Sequence, residues 1–257
     1  MINIKSSREI DIMRKAGKIA GQALKIAGEM IAEGVSTKKI DAQMKKFIES
    51  NGAKPSFYGY VVAGKAFPGN ACISLNDEVI HGIPRDDIIL KNGDIIKIDV
   101  GACISGYHGD CANTFYCGDK NFMPVDIKKL IDVTKQSFFE GIKYAAARNR
   151  VGDISGAIQS YVESNGFSVV RDYIGHGVGA KLHEPPDVPN FGRTGKGQRL
   201  IENMTIAVEP MVNIGGYKTK VADDNWTVKT ADGSLSAHYE HTVLILKDGC
   251  ELLTLID

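Results

Sequence analysis

Acidic residues of this chain stand in or beside apolar, strand-like segments, where core residues would be expected. A buried carboxylate is costly unless something neutralises its charge. Several carboxylates combined with histidines are typical ligands of divalent metal ions, and two such ions would activate a shared water for hydrolysis. The residues are Asp99 in GDIIKIDVG, Asp110 in YHGDCANTF, Glu209 in TIAVEPMV and Glu240 in SAHYEHTVLIL.

Asp99 and Asp110 fall in one predicted β-hairpin, GDIIKIDVGACISGYHGDCANTFYCG. A turn centred just before Ser105 places the two acids directly opposite each other. Their Cβ atoms would then be about 5 Å apart, and like charges so close need a cation between them. Taken alone, this segment is equally compatible with a solvated hairpin whose acids pair with Lys97.

The second half of the chain repeats this arrangement and favours the metal site. Glu209 ends an apolar segment in the place that matches Asp99, and Glu240 begins another in the place that matches Asp110. The repetition predicts acids from both halves around one site.

Histidines follow the same repeat. VIHGI holds His81 and IGHGV holds His176, each followed by glycine, and His183 follows in KLHEPP. A lone histidine is more often a core or surface residue than a ligand. Histidines that repeat together with acids predict a site for two metal ions.

Two predicted helices open each half. Residues 40–52 (IDAQMKKFIESNG) recur as residues 154–166 (ISGAIQSYVESNG), with apolar residues at helical spacing and a glycine at the end. Helical composition also covers residues 7–32 and 126–147, and β-branched runs follow the helices in both halves. The order predicts an α+β fold in which helices cover a sheet.

The chain has no proline-rich or low-complexity linker between its halves. We therefore expect one catalytic domain over residues 1–257, with pseudo-symmetric halves of about 1–120 and 121–257.

Composition excludes several functional classes. Apolar residues make up 43% and Lys plus Arg equal Asp plus Glu at 31 each, so no net charge attracts nucleic acid or an anionic membrane. The charged N-terminal segment does not resemble a signal peptide, and no apolar run has membrane-spanning length. The five cysteines include no C-x-x-C pair. These features predict a folded cytoplasmic protein with reduced thiols.

Two short motifs would indicate other classes of enzyme. His183-Glu184 resembles the start of a zinc-protease helix, and GHGVGA at residues 175–180 resembles a dinucleotide fingerprint, which would indicate a nicotinamide or flavin oxidoreductase. Pro185 and Pro186 follow both and prevent the helix that each motif needs. We therefore reject both interpretations.

The motifs together resemble those of the type I methionine aminopeptidases over nearly the whole chain. The DDNWTVKTADGSLSAHYEHT segment is more specific than any single short match. The other matching motifs are HGIP at His81, KIDVG at Asp99, YHGD at Asp110, GHGVG at His176 and EPMV at Glu209.

The resemblance implies a pita-bread fold, a curved antiparallel sheet backed by helices with internal pseudo-two-fold symmetry. It also implies removal of the initiator methionine when the second residue is small. By motif, Asp99 would bind one divalent metal, His176 and Glu209 the other, and Asp110 and Glu240 both. Cobalt, manganese, iron or zinc would suit such a site. Glu209 would also carry protons during the reaction.

The resemblance extends to residues that would contact substrate. His81 and His183 would hydrogen-bond the reacting peptide, and Tyr58, Cys72 and Trp226 would form walls of the methionine pocket.

Two departures from the family pattern lie near that pocket. Leu182 stands where many relatives have an aromatic residue, and the FYGYVVAGKAFPGN stretch at residues 57–70 is longer than its usual counterpart.

We expect a monomer that acts on nascent polypeptides close to the ribosome and binds neither nucleic acid nor membrane. Two alternatives remain at this stage. One is a prolidase or Xaa-Pro aminopeptidase with the same ligands, and the other is a non-catalytic binding protein on the same scaffold.

Overall fold

Two long helices open each half of the chain, as the sequence predicts. The computed structural model describes residues 2–256. Ser6 and Glu9 form a capping box at the first helix. The first and third helices were predicted to end at residues 32 and 147, but they end earlier, at Glu29 and Ile142. The helices are α1 (Ser7–Glu29), α2 (Thr37–Ser50), α3 (Val125–Ile142) and α4 (Val151–Ser164), with a short 3-10 helix at Lys120–Phe122.

The strands follow the helices in each half. In the first half they are β1 (Lys54–Pro55), β2 (Val61–Val62), β3 (Lys65–Ala66), β4 (Cys72–Leu75), β5 (Glu78–Ile80), β6 (Ile95–Ile104) and β7 (Tyr107–Tyr116). In the second half they are β8 (Ser168–Val169), β9 (Gly175–Gly177), β10 (Glu184–Val188), β11 (Thr205–Val208), β12 (Met211–Asn213), β13 (Thr219–Val221), β14 (Val228–Thr230), β15 (Ser236–His238), β16 (Glu240–Ile245) and β17 (Cys250–Leu252).

One nine-stranded sheet contains strands from both halves. Its order is β1, β6, β7, β16, β11, β9, β10, with β4 also paired to β6 and β17 to β16. The pairs within it are antiparallel. The halves join where β16 pairs with β7, at Glu240 opposite Ala112. An antiparallel sheet with helices packed on it confirms the predicted α+β class.

The β6–β7 hairpin differs from the predicted register. Asp99 lies opposite Ala112, and Asp110 lies opposite Gly101, so the prediction that the two acids face each other directly is wrong. The turn residues are Ser105 and Gly106, whose φ angles of 51° and 82° suit a two-residue turn centred one position later than predicted. That change moves each partner by two positions, so both acids keep to the same face as diagonal neighbours.

Each half has its own apolar core against the sheet. Ile40, Met44 and Ile48 of α2 are fully buried in the first core together with residues of α1 and β6. The second core joins α3 and α4 to β11 and β16, with Ile158 and Val243 fully buried. These cores hold the strands that carry the acids.

The packing of α1 on the sheet is close enough to require glycine. A Cβ atom built on Gly17 would lie 2.3 Å from the carbonyl oxygen of Leu253. That oxygen belongs to the backbone and cannot rotate away, so the helix can approach only without a side chain here.

Replacing Gly17 with alanine should therefore destabilise the fold by about 1–3 kcal/mol, although alanine is the better helix former. Urea unfolding measures the change. Gly249→Ala is the matched control, since a Cβ there meets nothing within 4 Å. Equal stability of the Gly17→Ala variant and the wild type would contradict the close contact.

Candidate metal centre

The predicted acids and His176 meet at one end of a cavity, although they come from different strands. Asp99 and Asp110 lie on β6 and β7, and Glu240 is the first residue of β16. Glu209 directly follows β11, which pairs with β9, the strand that holds His176. Antiparallel pairing across the sheet therefore brings the two halves of the predicted ligand set together.

Ligand atoms in this cluster are close enough to share metal ions. One atom each from Asp110, His176 and Glu240 lies within 4.8 Å of the others. His176 Nε2 is 3.5 Å from Glu209 Oε1. Asp110, Glu209 and Glu240 are buried, with 3%, 8% and 2% of their surface exposed. The arrangement is compact and largely closed to water.

Burial and mutual repulsion disfavour charge on the carboxyl groups. Burial raises the pKa of Asp110 to about 7. Burial first, and then the charges of Asp110 and Glu209, raise the pKa of Asp99 well above its ordinary value. The pKa of Glu209 is raised by burial and by Asp110, and that of Glu240 by burial and by the neighbouring acids. A divalent cation would reverse these shifts by neutralising the cluster.

Unsatisfied oxygens give a second reason for a cation. Asp99 Oδ1, Asp110 Oδ1 and Glu240 Oε1 are buried and have no hydrogen-bond partner among residues 2–256. Buried polar atoms are usually paired in folded proteins. Oxygen atoms that point together without a donor are suited to a hard or borderline metal ion.

His238 belongs to the same cluster, although the repeat of acids and histidines did not predict it. Its Nε2 atom is 3.8 Å from Glu209 Oε2 and 3.9 Å from Glu240 Oε2, and the side chain is 1% exposed. Neither ring nitrogen has a hydrogen-bond partner in the described part of the chain. His238 stands two residues before Glu240, and alternate residues of a strand share a face. That spacing could have identified His238 as a member of the cluster. His108 stands at the same spacing before Asp110, yet its Nδ1 pairs with Ser56 instead.

An apolar cavity of about 290 Å³ opens beside the acids. Leu182 is buried among Phe57, Phe67 and Cys72, so the leucine that departs from the family pattern is part of the wall. The lining also includes Tyr60, Val62, Ile80, Tyr173, Ile174 and Trp226. The space suits one apolar side chain next to the charged centre.

Two of the three predicted pocket residues line the cavity, and the third lies outside it. Cys72 and Trp226 line the cavity, but Tyr58 does not. Tyr58 is 65% exposed, and its ring lies beneath the ammonium group of Lys45. Gly59, with φ of 77°, turns the chain so that Tyr60 enters the cavity instead. The longer segment at residues 57–70 forms the β2–β3 hairpin at this rim.

His81 and His183 both line the cavity beside the acids. Burial, and then His183, lowers the pKa of His81 to about 4, and burial also lowers the pKa of His183. Both rings are therefore neutral near pH 7 and can donate one hydrogen bond each. His81 packs edge-on against Tyr173 and Trp226, while His183 Nδ1 contacts the hydroxyl of Tyr60.

The rejected motifs have the structures that the prolines predict. Glu184, Pro185 and Pro186 lie in β10, which is extended, so His183 does not begin a zinc-protease helix. The GHGVGA segment contains β9, which pairs antiparallel with β10. A strand follows where a dinucleotide site needs a helix.

Comparisons with known proteins agree with this geometry. Residues 11–247 match the model of metallopeptidase family M24. The methionine aminopeptidase of Clostridium perfringens is 52% identical over 256 residues, which is 100% of each chain. The crystal structure of the Thermotoga maritima methionine aminopeptidase has a TM-score of 0.95 and 41% identity, over 100% of both chains. Prolidase from Pyrococcus furiosus has a TM-score of 0.77 at 24% identity, and the match covers 99% of this chain and 66% of the prolidase.

The crowded carboxyl groups predict an unusual pH dependence for the metal-free protein. The pKa of Asp110 rises from 3.8 to about 7 on folding. The folded protein then binds protons more tightly than the unfolded chain, and this stabilisation is lost as the pH rises through 7. The part of the free energy of unfolding that Asp110 contributes should therefore fall between about pH 4 and 7, by up to about 1.4 kcal/mol per pH unit. The buried histidines and Lys97, whose pKa values are lowered on folding, act in the opposite direction, so the contribution of Asp110 is read from the difference between the wild type and Asp110→Asn.

Urea unfolding of metal-free protein at several pH values tests this expectation. Asp110→Asn should remove the Asp110 contribution from the pH slope, and Asp86→Asn, which alters an exposed carboxylate, should leave the slope unchanged. Zinc or manganese should remove the loss at high pH, because metal ions replace the protons. Equal pH slopes of the wild type and Asp110→Asn without metal between about pH 4 and 7 would contradict the raised pKa of Asp110.

Proposed function

The chain belongs to metallopeptidase family M24, and from that premise we propose that it acts as a methionine aminopeptidase that removes the initiator methionine from newly made proteins. The observation that carries this proposal is the buried carboxylate and histidine cluster at the end of a small apolar cavity. The cavity of about 290 Å³ includes the space beside the carboxylates, and its apolar part would hold one methionine side chain.

The ligand positions support a site for two divalent ions. Asp99 would hold one ion, His176 and Glu209 the other, and Asp110 and Glu240 both. The unpartnered carboxylate oxygens fit such ions. When bound, the ions would lower the pKa of water and polarise a carbonyl group. Cobalt, manganese, iron or zinc would suit the mixed oxygen and nitrogen ligands.

The residues of the chain would orient the substrate around that centre. Leu182, Cys72 and Trp226 would enclose the methionine side chain and exclude water from it. Neutral His81 and His183 would donate hydrogen bonds to the peptide group as negative charge develops on its oxygen. Glu209, which lies beside His176 at the end of the cavity, would take up and release the proton that moves to the departing amine.

The carboxylates also account for cleavage at the first residue. A free α-amino group in its neutral form has a lone pair that would bind a metal ion held by the cluster. The small cavity beside the cluster would accommodate one residue before the scissile bond. We further propose that selectivity for a small second residue arises at the rim beside His81 and His183.

The proposal also includes the substrates, the cellular location and the oligomeric state. The substrates would be nascent polypeptides near the ribosome in the cytoplasm, and a monomer of one catalytic domain, with halves at about 1–120 and 121–257, would suffice. Among residues 2–256, no helix has the length and apolar character needed to cross a membrane.

Removal of Asp110 tests the metal centre directly. Asp110→Ala should reduce kcat on a Met-Ala-Ser peptide by at least about 1,000-fold, because the carboxylate proposed to hold both ions is lost. Metal analysis by mass spectrometry should show less than the wild-type content. Asp86→Ala, in an exposed loop, serves as the control. Wild-type turnover by Asp110→Ala would overturn the assigned role.

Substrate choice separates this proposal from the related peptidases and from a binding protein. Met-Ala-Ser should be cleaved, and peptides of the Xaa-Pro type should be cleaved at least about 100-fold more slowly. The kcat/KM values of manganese-loaded and zinc-loaded protein provide the comparison. Preference for Xaa-Pro peptides would favour a prolidase-like enzyme, and inactivity on all peptides a binding protein.

A further inference from the structure

Tyr60 and His183 contact each other at the mouth of the cavity. The hydroxyl oxygen of Tyr60 lies 2.7 Å from Nδ1 of His183, and the residues are 123 positions apart in the chain. Their ring centroids are 5.0 Å apart and the ring planes are tilted by 50°. Both rings line the cavity. The contact therefore links the rim segment to a histidine that faces the substrate space.

The backbone of the rim segment fixes the position of Tyr60. The amide of Phe67 donates to the carbonyl of Tyr60 at 2.8 Å, and the amide of Gly59 donates to the carbonyl of Phe67 at 2.9 Å. The Tyr60 amide also donates to Phe57 at 2.9 Å. Phe57 and Phe67 are buried. These bonds close the base of the β2–β3 hairpin and fix the backbone from which the phenol extends.

The backbone of His183 is also anchored, through the next residue. The carboxylate of Glu184 accepts a hydrogen bond from Lys5 Nζ at 2.9 Å and another from the amide of Lys181 at 3.0 Å. Lys5 and Glu184 are both buried. These bonds do not fix the rotation of the His183 imidazole ring, because the last side-chain torsion of histidine has two nearly equivalent minima. A half-turn would exchange Nδ1 and Nε2.

We propose that Tyr60 is a positioning residue that selects one of these ring orientations and one tautomer of His183. A phenol that donates its proton to Nδ1 requires the neutral ring to carry its own proton on Nε2. Nε2 is then the ring nitrogen left for the substrate, and it presents a hydrogen-bond donor. Burial raises the pKa of Tyr60, so the phenol keeps its proton.

This inference rests on the proposed peptidase activity, because His183 acts there as a donor to the reacting peptide. Loss of the Tyr60 hydroxyl would leave the pocket wall in place but allow the ring of His183 to turn. A fraction of molecules would then present an acceptor to the developing negative charge. Turnover would suffer more than binding of methionine.

Tyr60→Phe removes only the hydroxyl group. We expect kcat on Met-Ala-Ser to fall about ten-fold, with KM and inhibition by free methionine within about two-fold of wild type. Tyr58→Phe is the matched control, since Tyr58 is exposed outside the cavity. A Tyr60→Phe variant with kcat within two-fold of wild type would overturn the proposal.

A double substitution distinguishes positioning from general damage to the pocket. In a His183→Ala background, Tyr60→Phe should cause no further loss of kcat, because the ring that Tyr60 orients is gone. A ten-fold loss in both backgrounds would mean that Tyr60 acts independently of His183, and the proposal would fail.

Nitrogen-15 NMR of histidine-labelled, zinc-loaded protein provides a readout besides activity. In the wild type, His183 Nδ1 should have the shift of an unprotonated nitrogen and Nε2 that of a protonated one. Tyr60→Phe should move both towards intermediate values. Protonated Nδ1 in the wild type, or identical spectra, would contradict the assignment. Inactive wild-type protein with the expected spectra would refute the proposed function and leave the role of Tyr60 intact.

Discussion

Crowding of four carboxyl groups, three of them buried and that of Asp99 half-buried, is the constraint on which this structure depends. Burial removes the water that would screen their charges, and the pKa of every one of them is raised. Oδ1 of Asp110 and Oε1 of Glu240 have no donor within residues 2–256. Bound cations would remove both penalties at once. Metal binding would then complete the site and neutralise the carboxyl groups in a single step.

The sheet makes this crowding possible by joining the two halves. β7 carries Asp110 and pairs with β16, which begins at Glu240. β11 lies on the other side of β16 and leads into Glu209. The ligands therefore lie at the seam, and neither half contains the whole set. The apolar cavity opens at the same place, so one boundary provides both the charged centre and the substrate pocket.

The sequence was most informative where residues violate the pattern of their own segment. Acids inside apolar strands predicted the cluster because burial there is costly, and the repeated halves predicted its two-sided origin. The register between Asp99 and Asp110 was wrong because the left-handed conformation of Ser105 moves the turn by one position. Tyr58 was assigned to the pocket in place of Tyr60, since a turn at Gly59 decides which ring enters.

The sequence by itself determined the class of fold, the kind of chemistry and the acids that meet in the candidate metal centre. Those features follow from residue type and periodicity, which are local properties of the chain. Only the tertiary structure decided which groups touch: His238 between Glu209 and Glu240, and Tyr60 against His183. Such contacts join strands and loops far apart in the chain. Their distances depend on how the sheet and its turns are packed, which local pattern does not encode.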